Sequence, residues 1–186
     1  KVTGVKSDVA VEQDVRSLVQ KTVEKHGRVD ILFNIVGAYA GGYDVASTEE
    51  SLWDSMVNVN LKSAFLCSKA VLPYMIRQNY GRIINVSSWL ALEKNRRVKS
   101  AAYAVSKAGV VVLTETLAFE VKNYDINVNC VVPSTIDTAA NRRNMPKADP
   151  TKWVDPKDIA EVMLFLVSDE SKVISGASVP VYGKAQ

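Results

Sequence analysis

Short apolar runs alternate with segments of helical periodicity along this chain. The run 83–86 after Gly81 is typical of a buried strand, and residues 11–26 repeat apolar positions on one helix face up to Gly27. The predicted order is β-α-β-α-β-α-β-α-β, with strands over 2–9, 29–33, 83–86, 126–132 and 177–181. This alternation predicts one α/β domain over 1–186, a doubly wound parallel sheet with helices on both faces.

Polar or chain-stopping residues follow several of these predicted strands. Asp8, Asn34, Ser88 and Pro133 each fall where a strand ends. Ligands of open parallel sheets bind beyond the carboxyl ends of the strands. We therefore expect these residues to converge on one site.

The candidate chemistry lies in Tyr103 and Lys107, four residues apart on a helix predicted from residue 101. That spacing places both side chains on one face, one turn apart. A free phenol has a pKa of about 10, and a fixed ammonium nearby favours the phenolate and lowers it. With a serine hydroxyl at a strand end, this pair would protonate an alkoxide or deprotonate an alcohol, while a cofactor supplies the electrons. Taken alone, the pair also fits an amphipathic surface.

Ser88, followed by the run Tyr103-Ala104-Val105-Ser106-Lys107-Ala108-Gly109, resembles the catalytic core of the short-chain dehydrogenase/reductase (SDR) family, over essentially the whole chain. The resemblance implies a Rossmann-like fold and an NAD(P)-dependent oxidoreductase that interconverts a carbonyl and an alcohol. Tyr103 is then the general acid/base, Lys107 lowers its pKa and binds the nicotinamide ribose, and Ser88 orients the carbonyl. Asn60 matches the family's helix asparagine, which links the lysine to solvent through a water; a helix interruption predicted near 58–60 supports this.

The resemblance also implies the cofactor contacts. Asp8 and Val9 are similar to the adenine-contacting pair, although Asp8 taken alone fits a solvated turn. The segment 34–37 resembles the Asn-Asn-Ala-Gly motif, with departures at its second and third positions, and 133–138 resembles Pro-Gly-x-Ile-x-Thr. The implied cofactor-binding residues are Asp8, Val9, Asn34, Gly37, Tyr103, Lys107, Pro133, Ile136 and Thr138.

Three functional interpretations stay open. By resemblance, the given sequence starts at the third strand of the family fold and lacks the N-terminal strands with the glycine-rich βαβ unit that cradles the pyrophosphate. The residue that selects NAD or NADP is then also outside the sequence. A reductase or dehydrogenase is one interpretation; an inactive fold remnant that binds no cofactor is the second. An epimerase or dehydratase is the third, although such relatives add a C-terminal substrate domain.

Substrate candidates come from two basic segments. The segment 141–149, followed by Trp153, resembles the lid of dihydropteridine reductases and also occurs in relatives labelled oxoacyl reductases. Arginine and lysine side chains in this lid and in the loop 94–99 predict a positively charged mouth that steers an anionic substrate or a cofactor phosphate. Solvated loop charges are the alternative. The candidate substrate residues are Ser88, Trp89, Arg96 and Arg142.

Composition argues against other classes of protein. A formal net charge of +3, dispersed along the chain, gives no basis for nucleic-acid or membrane partners. One histidine and two cysteines make no metal-ligand set, and the cysteines are expected to be free thiols of a cytoplasmic protein. The resemblance implies a homodimer or homotetramer that pairs through the helical segments 60–78 and 101–121 and through the last strand.

Overall fold

A four-stranded parallel sheet, in the order β1-β2-β3-β4, organises the computed structural model, which describes residues 2–185. The strands are β1 Ile31–Asn34, β2 Gly81–Val86, β3 Ile126–Pro133 and β4 Ser178–Val181. The helices are α1 Glu12–His26, α2 Glu50–Met56, α3 Ser63–Gln78, α4 Trp89–Leu92, α5 Ala101–Glu120, α6 Ala139–Asn144 and α7 Pro156–Val167. The predicted α/β fold with a parallel sheet is confirmed.

The two central strands carry the longest ladder. Six residue pairs join β2 to β3, from Gly81 opposite Ile126 to Val86 opposite Val131. Every residue of β3 is buried, as expected for a strand covered by helices on both faces. Because all four strands run parallel, their carboxyl ends meet at one edge of the sheet.

The core lies on both faces of this sheet. Neighbouring strand residues point to opposite faces, and Ile83 and Ile84 accordingly belong to different clusters. Ile83 packs with residues of α1, α3 and α5, whereas Ile84 packs with residues of α7 such as Met163 and Leu166. Helices therefore cover both faces, which fixes the sheet edge as the place for a site.

The predicted strand over 2–9 is wrong. Residues 2–8 pair with no strand of the described chain, and the Val2 side chain is fully exposed. Asp8 instead closes a turn before α1, where its carboxylate accepts from the Ala10 N–H and its own N–H donates to Asp14. An apolar run needs a neighbouring strand to satisfy its backbone groups, and no described strand lies beside this one.

Helix α5 is unusually apolar, with a mean hydropathy of 1.3 over its most apolar window. By length and composition alone it is the one helix of the described residues that could cross a membrane. Its buried face, however, packs against β3 and holds Ser106, Lys107 and Thr114. Its apolar character is that of a core helix that also carries the candidate catalytic side chains.

Candidate active site

A cavity of about 580 Å³ opens at the carboxyl edge of the sheet. Backbone and side chains from the ends of β1, β2 and β3, from the first turns of α5 and from α6 line it. Eight predicted site residues meet there: Gly37, Ser88, Trp89, Arg96, Tyr103, Lys107, Pro133 and Ile136. Of the four strand-end residues that were expected to converge, Ser88 and Pro133 line this cavity, whereas Asp8 and Asn34 do not.

Ser88 and Tyr103 both line this cavity. Ser88 precedes α4, and its Oγ accepts from the Leu90 N–H at 3.4 Å. Burial raises the pKa of the Tyr103 phenol, and a hydrogen bond with Ser88 acts in the opposite direction. The net direction is the reverse of the lowering predicted from the Tyr103–Lys107 spacing, because burial disfavours the phenolate.

The ammonium of Lys107 is engaged at the end of β2. Its Nζ donates to the Val86 carbonyl oxygen at 2.8 Å, and the Ser87 Oγ donates to the Lys107 carbonyl at 2.7 Å. The side chain is only 4% exposed, and this burial lowers the pKa of Lys107 to about 8. An ammonium has three donors, so the charged form keeps donors for a ligand in the cavity.

Asn60 lies in the predicted helix interruption, which is confirmed as a π-helical segment over Val57–Lys62. Its Oδ1 accepts from the Ala38 N–H at 3.0 Å, while its Nδ2 donates to the Ala38 carbonyl at 3.0 Å and to the Ser106 Oγ at 3.2 Å. The Ser106 Oγ donates in turn to the Tyr103 carbonyl at 2.8 Å. Asn60 therefore fixes the loop after β1 against the helix that bears Tyr103.

Gly37 lies beside the Asn60 and Lys107 side chains. A Cβ at this position would lie 2.9 Å from Asn60 Oδ1 and 3.1 Å from Lys107 Nζ. A side chain at 37 would therefore press directly on the ammonium. Glycine is therefore favoured at position 37 because a side chain would not fit. Its backbone conformation is not left-handed, so conformational freedom is not the reason.

Asn34 points away from the cavity. Its Nδ2 donates to Asn85 Oδ1 at 2.8 Å and to Ser68 Oγ at 3.2 Å, and Asn85 donates to Thr114 Oγ1 at 2.9 Å. These four side chains form a buried network between β1, β2, α3 and α5 that the sequence did not reveal. The predicted cofactor role of Asn34 is thus reduced to supporting the strand end.

Five more predicted residues also lie outside the cavity lining, and Asn60, described above, is one of them. Asp8 belongs to the turn before α1, and Val9 packs against the cluster of Val15, Leu66 and Cys67. Thr138 caps α6, with its Oγ1 accepting from the Asn141 N–H at 3.1 Å. Arg142 makes two hydrogen bonds to the Asp137 carboxylate, at 2.6 and 2.7 Å. Its charge is balanced locally, which argues against the predicted steering role.

The segment after β3, residues 134–136, forms another wall of the cavity. The Ser134 N–H donates to the Val181 carbonyl at 3.2 Å and its Oγ donates to the Tyr182 carbonyl at 2.9 Å. Ile136 forms a parallel bridge with Val154. The serine that replaces the family's glycine therefore has a partner for its hydroxyl, and it ties the cavity wall to β4.

The sequence did not predict two contacts at the rim of the cavity. The Tyr39 ring lies edge-on to Tyr103, with centroids 4.9 Å apart, and the Arg96 guanidinium stacks over Trp89 at 4.2 Å. Trp89 was predicted only as a substrate contact, and Tyr39 was not predicted at all. The one sequence signal for Tyr39 is its position just after the 34–37 motif.

The sequence is similar to a protein family model and to known proteins. The family model described as Enoyl-(Acyl carrier protein) reductase matches residues 1–183. The chain is 37% identical over 184 residues to 3-oxoacyl-[acyl-carrier-protein] reductase FabG of Thermotoga maritima, covering 95% of this chain and 74% of that protein. It is 32% identical over 196 residues to dehydrogenase/reductase SDR family member 6 of Danio rerio, covering 98% and 79%.

Solved structures also match this chain over nearly its whole length. The crystal structure of gox2181 superposes with a TM-score of 0.90 at 32% identity, covering 95% of this chain and 73% of that one. The structure of ElxO with NADP bound gives a TM-score of 0.92 at 26% identity, covering 97% and 77%. The arrangement of strands and helices around the cavity is therefore one that recurs in solved enzymes.

Proposed function

This chain belongs to the short-chain dehydrogenase/reductase family, and we propose that it is an NAD(P)-dependent oxidoreductase that interconverts a carbonyl and an alcohol. The observation that carries the proposal is the meeting of Ser88, Tyr103 and Lys107 in one cavity at the carboxyl edge of the sheet. A proton donor, a second hydroxyl and a buried ammonium are the groups that such a reaction needs from the protein.

The cavity fits the nicotinamide half of the cofactor. Gly37 leaves room beside the Lys107 ammonium, which would donate to the ribose hydroxyls, and Pro133 and Ile136 would line the ring. When bound, the cofactor supplies the hydride. ElxO, which superposes with a TM-score of 0.92, was solved with NADP bound, and this supports a nicotinamide cofactor for the chain. Either NAD or NADP is compatible with these residues.

Tyr103 is the proton donor in this proposal. In the reducing direction the carbonyl carbon gains a hydride and the phenol gives its proton to the oxygen, so that C=O becomes CH–OH. The pKa of Tyr103 is raised by burial, so the phenol is protonated at neutral pH and has a proton to donate in this direction. Ser88 would donate a hydrogen bond to the same oxygen and hold it beside the phenol.

The substrate carries an anionic group in this proposal. Arg96 lines the cavity and stacks over Trp89, so its guanidinium is held at the mouth rather than free in solvent. Arg142 is paired with Asp137 and takes no part. The name of the Thermotoga relative makes 3-oxoacyl thioesters the first class to test. Dihydropteridines, suggested by the lid segment, are the second.

The test is cofactor binding followed by turnover. NADH and NADPH are titrated into the protein while fluorescence is followed, and a panel of 3-oxoacyl thioesters and dihydropteridines is then screened. Binding of either cofactor together with carbonyl-dependent oxidation supports the proposal. A folded protein that binds neither cofactor would contradict it and favour the inactive remnant. Tyr124→Phe is the matched control for Tyr103→Phe, since Tyr124 is exposed and precedes β3 at the opposite sheet edge.

A homo-oligomer is part of the proposal. Large apolar side chains stand exposed on α3 and α5, with Phe65 44%, Val112 60% and Phe119 71% accessible. Burying such side chains against a second copy would remove apolar surface from water. Light scattering after size-exclusion chromatography should give at least twice the chain mass of 20.4 kDa. A monomer at micromolar concentration would contradict this part.

A further inference from the structure

We propose that Tyr39 is a positioning residue for Tyr103, and that residues 39–42 form a latch that holds it in place. This inference rests on the proposed function of Tyr103 as the general acid/base. The latch follows β1 and crosses to the residues that immediately precede α5, so it joins two segments that are far apart in sequence.

The first contact of the latch is between two rings. The Tyr39 and Tyr103 centroids are 4.9 Å apart and the ring planes make an angle of 80°. This edge-on geometry is an attractive arrangement of aromatic side chains. The backbone of Tyr103 is fixed by α5, but its ring can still turn about the side-chain bonds. Contact with Tyr39 restricts that rotation and covers part of the phenol.

The second contact anchors Tyr39 itself. Its Oη lies 3.1 Å from the Ser100 Oγ, and the Gly42 N–H donates to the Lys99 carbonyl at 2.7 Å. Serine at a helix N-terminus usually caps the helix with its hydroxyl, yet the Ser100 side chain makes no such bond to α5. Lys99 is held at a φ of 59°, which is uncommon outside glycine. The Ser100 hydroxyl therefore contacts Tyr39, and the Lys99 backbone places its carbonyl to accept from Gly42.

Gly41 shows how closely the latch is packed. A Cβ there would lie 2.7 Å from Tyr39 Oη, 2.9 Å from Ser100 Oγ and 3.0 Å from the Lys99 carbonyl oxygen. A methyl group at this position must therefore displace the Tyr39–Ser100 contact. Gly41→Ala consequently opens the latch while leaving both tyrosines in the chain.

Steady-state kinetics of three variants test the proposal. Tyr39→Ala should lower kcat by up to roughly a hundredfold, because a small misplacement of a catalytic group is costly, while KM changes little. Tyr39→Phe keeps the ring and loses one hydrogen bond, so its kcat should stay within about tenfold of the wild type. Gly41→Ala should fall between them. Tyr43→Ala is the control, since Tyr43 is 53% exposed in the same loop and lies outside the cavity.

The pH profile separates positioning from general destabilisation. Burial raises the pKa of the Tyr103 phenol, and the electrostatic interaction with the neighbouring Tyr39 acts in the same direction. Loss of Tyr39 should therefore move the alkaline limb of carbonyl reduction to lower pH, whereas a merely structural defect leaves the limb in place. Tyr39 is 64% exposed, so its truncation should leave the fold intact, which thermal unfolding checks.

A spectroscopic titration keeps this test independent of turnover. The chain has 7 tyrosines, so the Tyr103 signal is obtained by subtracting the tyrosinate absorbance of the matching Tyr103→Phe protein. A lower Tyr103 pKa in Tyr39→Ala supports the latch even if no substrate is turned over, in which case only the proposed function fails. If Tyr39→Ala and Tyr43→Ala match in kcat, pH profile and titration, the latch proposal is wrong.

Discussion

Lys107 on the floor of the cavity is 4% exposed and bonded to a strand carbonyl, whereas Tyr39 at the rim is 64% exposed and held by one hydroxyl and one ring. The floor comprises Ser88, Tyr103 and Lys107, with Asn60 behind them, and the rim comprises Tyr39, Trp89 and Arg96. Floor residues are fixed by strands and helices that the core needs in any case. Rim residues depend on loops, which can vary without changing the fold. The chemistry is thus expected to reside in the floor, which Tyr39 supports from the rim, and the substrate preference in Trp89 and Arg96.

The largest effect should separate two adjacent serines of the floor. Ser88→Ala should lower kcat by roughly a hundredfold, since it removes a donor from the developing oxyanion. Ser87→Ala should have a much smaller effect on kcat, because the Ser87 hydroxyl already donates to the Lys107 carbonyl. Turnover of the two variants with one substrate makes the comparison. Equal losses, or a small loss in Ser88→Ala, would contradict the assignment of the substrate hydrogen bond to Ser88.

A smaller effect concerns the charge buried in the floor. The pKa of Lys107 is lowered to about 8 from 10.5, so the unfolded chain binds more protons between these pH values. Stability from this group should therefore rise with pH, by roughly 2 kcal/mol between about pH 7 and 9.5. Lys107→Met removes the rise, so the difference in unfolding free energy between Lys107→Met and wild type should change by that amount.

Urea unfolding at the two pH values measures this difference. Comparison with wild type cancels the titration of the other groups, including Tyr103, whose raised pKa acts only at higher pH. A pH-independent difference would show that Lys107 titrates as an ordinary surface lysine. The floor would then be less buried than the structure indicates.

The smallest effect should come from reversing the charge of Arg96 at the rim. Arg96→Glu should raise KM for an anionic substrate roughly tenfold with little change in kcat, and added salt should weaken the effect. Lys94→Glu makes the same charge change in the same loop but lies outside the cavity lining, so its KM should stay near the wild-type value. Similar KM values for both variants, or a large fall in kcat, would contradict the division between floor and rim.

The sequence predicted the floor better than the rim for a physical reason. Ser88, Tyr103 and Lys107 are placed by a strand end and a helix, and both elements follow from local periodicity. The contacts of Tyr39 and of Arg96 depend on how loops fold back, which no spacing rule describes.

The failures have similar causes. Periodicity over 2–9 suggested a strand, but it cannot show whether a neighbouring strand is available to pair with it. Arg142 was predicted to face the cavity, yet Asp137 accepts hydrogen bonds from two of its three guanidinium nitrogens. The direction of the Tyr103 pKa was also mispredicted, because burial of the phenol is a property of the whole cavity.

The catalytic role of Tyr103 is tested most directly by single-turnover carbonyl reduction in Tyr103→Phe, with Tyr124→Phe as the control. The phenylalanine keeps the ring and removes the proton donor, so cofactor affinity should be retained while the rate falls by roughly 10² to 10⁴. Tyr124→Phe should match the wild type in both respects. A Tyr103→Phe protein that binds cofactor and reduces its carbonyl substrate at the wild-type rate would contradict the proposed chemistry.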